Sequence, residues 1–149
     1  MNRLQTLDPY AFERLVLKVL SAMGYGKDGS LEGTAASRDG GIDGIISQDP
    51  LGLDRIYLQA KRFTGSSVQS QDVQAFIGAL STSHGDRGVF ITTSIFTKGA
   101  REAADRSTVR IELIDGRQLV KLMVNYKVGV QPESETIVYK IDEDFFEGI

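Results

Sequence analysis

The feature that most narrows what this chain can fold into is a pair of short stretches joined by a turn. Ile42-Asp43-Gly44-Ile45-Ile46 and Asp54-Arg55-Ile56-Tyr57-Leu58-Gln59-Ala60-Lys61 are rich in β-branched and aromatic residues, and Gln48-Asp49-Pro50-Leu51-Gly52 between them carries turn chemistry. So short a connection predicts an antiparallel hairpin. The pattern then changes. A helix is expected from about Ser70 to Thr82, with Val73, Phe76, Ile77 and Leu80 on one face. Gly88-Val89-Phe90-Ile91-Thr92-Thr93 reads as a buried strand. Thr97 can cap a helix to about Arg106, Val109 to Ile114 reads as a strand, and Asp115 can cap a helix to about Tyr126. A hairpin followed by strand–helix alternation predicts an α/β fold, a mixed β-sheet flanked by helices on both faces.

Ahead of the hairpin, Asp8-Pro9 supplies a capping carboxylate and a proline suited to the first helical position. Phe12, Leu15, Val16, Val19, Leu20 and Met23 follow at helical spacing, and Gly24 and Gly26 end the run. Residues 27–41 are polar and glycine-rich, with a short strand expected near Leu31 to Ala36. A further strand is expected near Thr136 to Ile141. No repeat or internal linker divides the chain, so its 149 residues are expected to form one domain.

Composition removes several function classes. There is no cysteine, which excludes disulfides and thiolate metal sites. No apolar run is long enough to span a membrane and no signal peptide opens the chain, so a cytoplasmic protein is expected. No GxxxxGK[ST] pattern occurs, which excludes a P-loop. His84, the single histidine, lies in a helix-end turn and is expected at the surface. The net charge is −3, but six acids and one base follow from Glu133 onward, so the acidity is concentrated in the tail and the body is slightly positive.

The chemistry is concentrated on the hairpin. Gln59 and Lys61 are two apart on a strand and point to one face. Charged groups inside a sheet are costly unless they are paired or hold an ion. Asp43 on the neighbouring strand adds a carboxylate to the amide oxygen and the ammonium. That set suits a hard cation such as Mg²⁺, which takes oxygen ligands and keeps several waters. The ammonium can then orient or deprotonate an attacking water, or neutralise charge on a phosphate. Lys61, Arg62, Arg38, Lys98 and Arg101 can line a phosphate-binding face, although Arg101 can equally pair with Asp105. Thr93 and Ser94 end a buried strand, where their hydroxyls can meet a phosphate or bond to the backbone.

The segments Gly40-Gly41-Ile42-Asp43-Gly44-Ile45-Ile46 and Tyr57-Leu58-Gln59-Ala60-Lys61-Arg62 resemble the catalytic core of Mrr-type restriction endonucleases, members of the PD-(D/E)xK nuclease superfamily. The likeness continues through Phe12-Glu13-Arg14-Leu15-Val16, Val73 to Leu80, Gly88 to Ser94 and Phe96 to Glu102, covering nearly the whole chain in order. It implies a restriction-endonuclease-like fold and Mg²⁺-dependent hydrolysis of DNA phosphodiester bonds, with Mn²⁺ as an alternative ion. By position, it implies that Asp43 binds the metal and that Lys61 is the catalytic lysine. Gln59 stands where many members have a glutamate or aspartate, and its neutral oxygen is a weaker ligand. Glu13 matches an acid of the first helix that supports the metal, the Ala60 carbonyl is a further ligand, and Gln74 lies where a polar group approaches the phosphate. The resemblance further implies double-stranded DNA, including modified or foreign DNA, as substrate and a homodimer or higher assembly, since duplex cleavage takes two active sites. Mrr-type enzymes usually carry a DNA-recognition domain ahead of the catalytic one, and that domain is expected to be absent from this chain. The competing expectations are a non-catalytic DNA-binding or protein-interaction module on the same fold, and a junction resolvase or repair nuclease.

Overall fold

The computed structural model describes residues 1–33 and 41–149. Arg38, Gly40 and the end of the strand expected near Leu31 to Ala36 lie outside the described residues. The element order is α1 (Asn2–Thr6), α2 (Pro9–Ala22), β1 (Ser30–Gly33), β2 (Gly44–Ser47), β3 (Arg55–Lys61), α3 (Ser70–Thr82), β4 (Arg87–Thr92), α4 (Lys98–Arg106), β5 (Arg110–Ile114), α5 (Gly116–Asn125) and α6 (Glu143–Glu147). The strands form one sheet in the order β1-β2-β3-β4-β5. The first three pair antiparallel, and β3, β4 and β5 pair parallel. The sheet is therefore mixed, as the hairpin and the later alternation predict.

Local chemistry explains where the elements begin. The Asp8 carboxylate accepts from the Ala11 N–H at 3.0 Å, and Pro9 opens α2. Thr97 and Asp115 cap α4 and α5 in the same way, accepting from Ala100 at 3.1 Å and Gln118 at 3.0 Å. Each cap satisfies an amide that the helix itself leaves without a partner. In the hairpin turn, the Asp49 carboxylate accepts from the N–H groups of Leu51, Leu53 and Asp54 at 2.9, 3.2 and 2.6 Å. That wrapped loop fixes the register Gly44↔Leu58, Ile45↔Tyr57, Ile46↔Ile56.

The sheet separates two apolar layers. On one side Phe12, Val16, Val19 and Leu20 of α2 and Leu119 and Met123 of α5 pack on Ile46, Leu58, Ala60 and Ile91. On the other side Val73, Phe76 and Leu80 of α3 and the alanines of α4 pack on Tyr57 and Phe90. Phe90 makes edge-to-face contacts with Phe76 and Phe96, with ring centroids 5.6 and 5.5 Å apart. Among the described residues no helix is long and apolar enough to cross a membrane.

The expected strand at Thr136 to Ile141 is absent: this stretch is irregular and exposed, with Val138 and Tyr139 each 86% accessible. Topology gives the reason. The steps from β3 to β4 and from β4 to β5 carry α3 and α4 on one face, whereas α5 lies on the other. A strand laid parallel beyond β5 after α5 would need a crossover of the opposite hand to those steps, and right-handed crossovers are strongly preferred. Strand propensity without an accessible partner edge is not enough. The short helices α1 and α6 are not foreseen by the sequence reading.

Candidate active site

Strand β3 positions two of the three principal residues. Alternation turns Tyr57, Gln59 and Lys61 toward the face of α3 and α4, while Leu58 and Ala60 join the α2 and α5 layer. Gln59 stands opposite Phe90 and Lys61 opposite Thr92 of β4. Gln59 is only 5% accessible, an uncommon burial for an amide side chain.

Asp43 lies one residue before β2, not inside it as the sequence reading placed it. It nevertheless stays against β3: its N–H donates to the Leu58 carbonyl at 2.7 Å, and its Oδ2 accepts from the Ala60 N–H at 2.8 Å. Burial raises the Asp43 carboxyl above the ordinary carboxylate range. The Ala60 N–H, the Lys61 charge and the Gln59 side chain oppose that rise without cancelling it. Glu13 on α2 is also raised, first by burial and then by the charge of Asp43, with Arg14 opposing. The helix therefore brings a second carboxylate within electrostatic reach of the first.

Gly41 closes the site from the loop side. Its φ is +124°, and a Cβ built there would stand 3.0 Å from Gln59 Oε1. Glycine lets the main chain approach the buried amide oxygen in a conformation that side chains disfavour.

Lys61 has a partner that the sequence reading missed. Its Nζ lies 3.5 Å from Asp72 Oδ1 on the first turn of α3, while Asp72 Oδ2 accepts from the Gln69 N–H at 2.8 Å. Asp72 thereby helps cap the start of α3, and nothing in the sequence signals its contact with β3.

The outlying candidates are placed as follows. Arg62 Nη1 donates to the Gln5 carbonyl at 2.6 Å, tying β3 to α1, and its Nε is buried without a partner. The Thr93 hydroxyl donates to the Phe63 carbonyl and accepts from the Phe63 N–H, at 2.9 and 3.0 Å. The Ser94 hydroxyl donates to the Ser66 carbonyl. Gln74 is exposed on α3. Lys98 is 91% accessible and stands 3.9 Å from Glu102, one turn on. Arg101 pairs with Asp115 at 3.5 Å, not with Asp105, and lies over the Phe96 ring. His84 is exposed at the end of α3 with φ 59°.

The donor set fits a hard cation. Among the described residues no three His, Cys, Asp or Glu side chains gather as a ready-made metal cluster. Asp43, Glu13, the Gln59 oxygen and the Ala60 carbonyl are the oxygen donors that would hold such an ion. Both carboxyls are pushed upward by burial, and Glu13 also by the charge of Asp43, so a cation beside them would be favoured electrostatically. The chemistry does not coincide with the groove of about 770 Å³ between α2 and α5, lined by Leu20, Met23, Ile56, Val89 and Ile114.

Comparison with known proteins gives the family and the fold. The family model described as restriction endonuclease, the Mrr catalytic domain, matches residues 4–123. A curated relative, the type IV methyl-directed restriction enzyme EcoKMrr of Escherichia coli (strain K12), is 44% identical over 149 residues, covering 99% of this chain and 48% of that protein. The chain thus spans about half the length of the curated relative it matches. Among solved structures, the DNA modification-dependent restriction endonuclease AspBHI aligns over 83% of this chain and 32% of its own, with a TM-score of 0.61 and 23% identity. The MspJI restriction endonuclease, solved in complex with a 27-mer oligonucleotide, aligns over 76% of this chain and 27% of its own, with a TM-score of 0.52 and 22% identity. These two likenesses concern the fold.

Proposed function

Because the chain belongs to the Mrr catalytic-domain family of restriction endonucleases, we propose that it is the cutting module of a type IV-like DNA endonuclease, hydrolysing phosphodiester bonds of double-stranded DNA with Mg²⁺. One observation carries the reading. Asp43 keeps a raised, partly buried carboxyl beside the amide of Gln59 and within reach of Glu13, while Lys61 leaves the same strand face two residues on.

In this reading Asp43, the Gln59 oxygen and the Ala60 carbonyl would hold the ion, and Glu13 would support it from α2. When bound, the ion stabilises negative charge developing on the phosphate. The chain's own residues do the rest. Lys61 points its ammonium at the attacking water and the phosphate oxygens, ordering one and neutralising the other. The Ala60 N–H fixes one oxygen of Asp43 against β3. Gln74 and Lys98 are exposed, where they can meet the DNA backbone; such contacts give register, not sequence choice. A second copy of the chain supplies the centre that cuts the other strand. The cytoplasm, where foreign DNA arrives, is the site of action.

The test is a plasmid nicking assay with methylated and unmethylated substrate, with and without Mg²⁺. Lys61→Ala is expected to lower cleavage by about 10²–10⁴-fold and to leave the fold intact. Wild-type cleavage that survives excess EDTA would sink the mechanism. DNA binding without metal-dependent cleavage would point instead to a non-catalytic module on this fold.

A further inference from the structure

We infer that Asp72 is a positioning residue for Lys61, a carboxylate built into the first turn of α3 to hold the ammonium where the reaction needs it. The inference rests on the reading of Lys61 given above and extends it to a residue eleven positions away.

A lysine side chain has four carbons of freedom and three donors, and it loses rotamer entropy when fixed. Lys61 is 36% accessible at the end of its strand, so packing alone does not fix it. Asp72 divides its two oxygens. Oδ2 is held by the Gln69 N–H at 2.8 Å, which anchors the carboxylate to the main chain at the helix start. Oδ1 faces the Lys61 ammonium at 3.5 Å. The separation leaves a loose pair, with donors of the ammonium still free for water and phosphate.

The alternative is that the pair merely ties α3 to β3. The apolar layer already does that: Val73, Phe76 and Leu80 are fully buried against Tyr57 and Phe90. A partly exposed ion pair adds little to such a layer. The pair also differs from the surface pairs around it. Its partners are 36% and 22% accessible, against 91% and 50% for Lys98 and Glu102 and 82% and 63% for Arg110 and Glu112; only Arg101 and Asp115, at 49% and 16%, come near it among the described pairs. The two roles predict different things. A tie would show in stability, whereas a positioning group shows in turnover.

Asp72→Asn is isosteric and keeps an oxygen for the Gln69 N–H while removing the charge opposite Lys61. Single-turnover cleavage of a duplex in saturating Mg²⁺ should slow about 10–100-fold, the usual range when a group that orients a site residue is removed. The half-saturating DNA concentration should change less than about twofold, and DNA affinity without divalent ions should hold equally, since Asp72 carries no phosphate contact. The melting temperature should stay within about 2 °C. Asp72→Glu, which restores the charge, should recover part of the lost rate. Asp72→Asn cleaving at the wild-type rate while Lys61→Ala is inactive overturns the inference and leaves the role of Lys61 standing. Lys61→Ala cleaving like wild type removes both. A rate loss that follows a large fall in melting temperature, or an Asp72→Glu variant no faster than Asp72→Asn, also overturns it, by assigning the carboxylate a structural role.

Discussion

Replacing Gly41 with alanine tests how the loop and the strand together shape the site. At φ +124° an alanine is strained by about 1–3 kcal/mol. Losing glycine's freedom in the unfolded chain returns about 0.4–1 kcal/mol. The new Cβ would also stand 3.0 Å from Gln59 Oε1, so the amide must retreat by a few tenths of an ångström. Gln59 is 5% accessible and cannot swing into solvent to do so. Strain outweighs the entropic return, leaving a net loss of about 1–2 kcal/mol, or about 3–7 °C in melting temperature for a chain of this size. Moving the amide oxygen should also raise the Mg²⁺ concentration for half-maximal cleavage several-fold, since small misplacements at a reacting centre are expensive. The assay pairs thermal denaturation followed by circular dichroism with a Mg²⁺ titration of plasmid nicking. Gln59→Ala supplies the control. It removes the contact, so Gly41→Ala in that background should lose less stability than in wild type, by about 0.5 kcal/mol or more. An alanine at 41 that changes neither the melting temperature nor the Mg²⁺ requirement would refute the reasoning.

The remaining predictions concern other links in the same chain of argument. Asp43 and Glu13 have raised carboxyls, so their contribution to stability is full below the ordinary carboxylate range and is lost as pH rises through their raised values. Asp43→Asn should therefore make the metal-free protein more stable at neutral pH while abolishing cleavage, which melting curves across pH will show. Asp49 has the opposite sign: the Asp54 N–H foremost, with those of Leu53 and Leu51, holds its carboxyl below the ordinary range, so its contribution is present at neutral pH and lost on acidification. The difference between wild type and Asp49→Asn in denaturant midpoint should shrink as pH falls. Arg62→Ala should lower stability by about 1.5–3 kcal/mol, the order of one hydrogen bond to a charged donor, through loss of its bond to Gln5. Cutting the chain after Gln131 should leave the melting temperature within about 2 °C, because the segment removed is exposed and unpaired.

Much of this fold could be read from local signals. The helices announce themselves by caps at Asp8, Thr97 and Asp115 and by apolar stripes such as Phe12, Val16 and Val19, and those caps are formed as the spacing implies. The shared face of Gln59 and Lys61 follows from the two-residue period of a strand. What could not be read depends on how elements meet. Asp72 reaches Lys61 only because α3 crosses the sheet at one particular place, and nothing in the sequence around residue 72 points back to residue 61. Arg62 looks like a phosphate contact in sequence, yet it bonds to the carbonyl of Gln5, 57 residues away. The Thr136 to Ile141 stretch has strand composition, but composition carries no information about which face α5 will take. Arg101 chose Asp115 over Asp105 for a related reason: the cap of α5 is brought to it by the return from β5.

The loop that Asp49 wraps lies at the far end of β3 from Lys61, yet it governs what the other end presents. Side chains alternate along a strand, so a hairpin slipped by one residue would turn Gln59 and Lys61 into the apolar layer beneath α2 and offer Leu58 and Ala60 in their place. Such a molecule could keep its composition, its helices and most of its buried area, and have no site. The three amides gathered by the Asp49 carboxylate thus act as a ruler for the chemistry. Errors of counting at the turn would become errors of identity at the proposed site, which makes a solvent-facing loop outside that site a determinant of what the end of the strand presents.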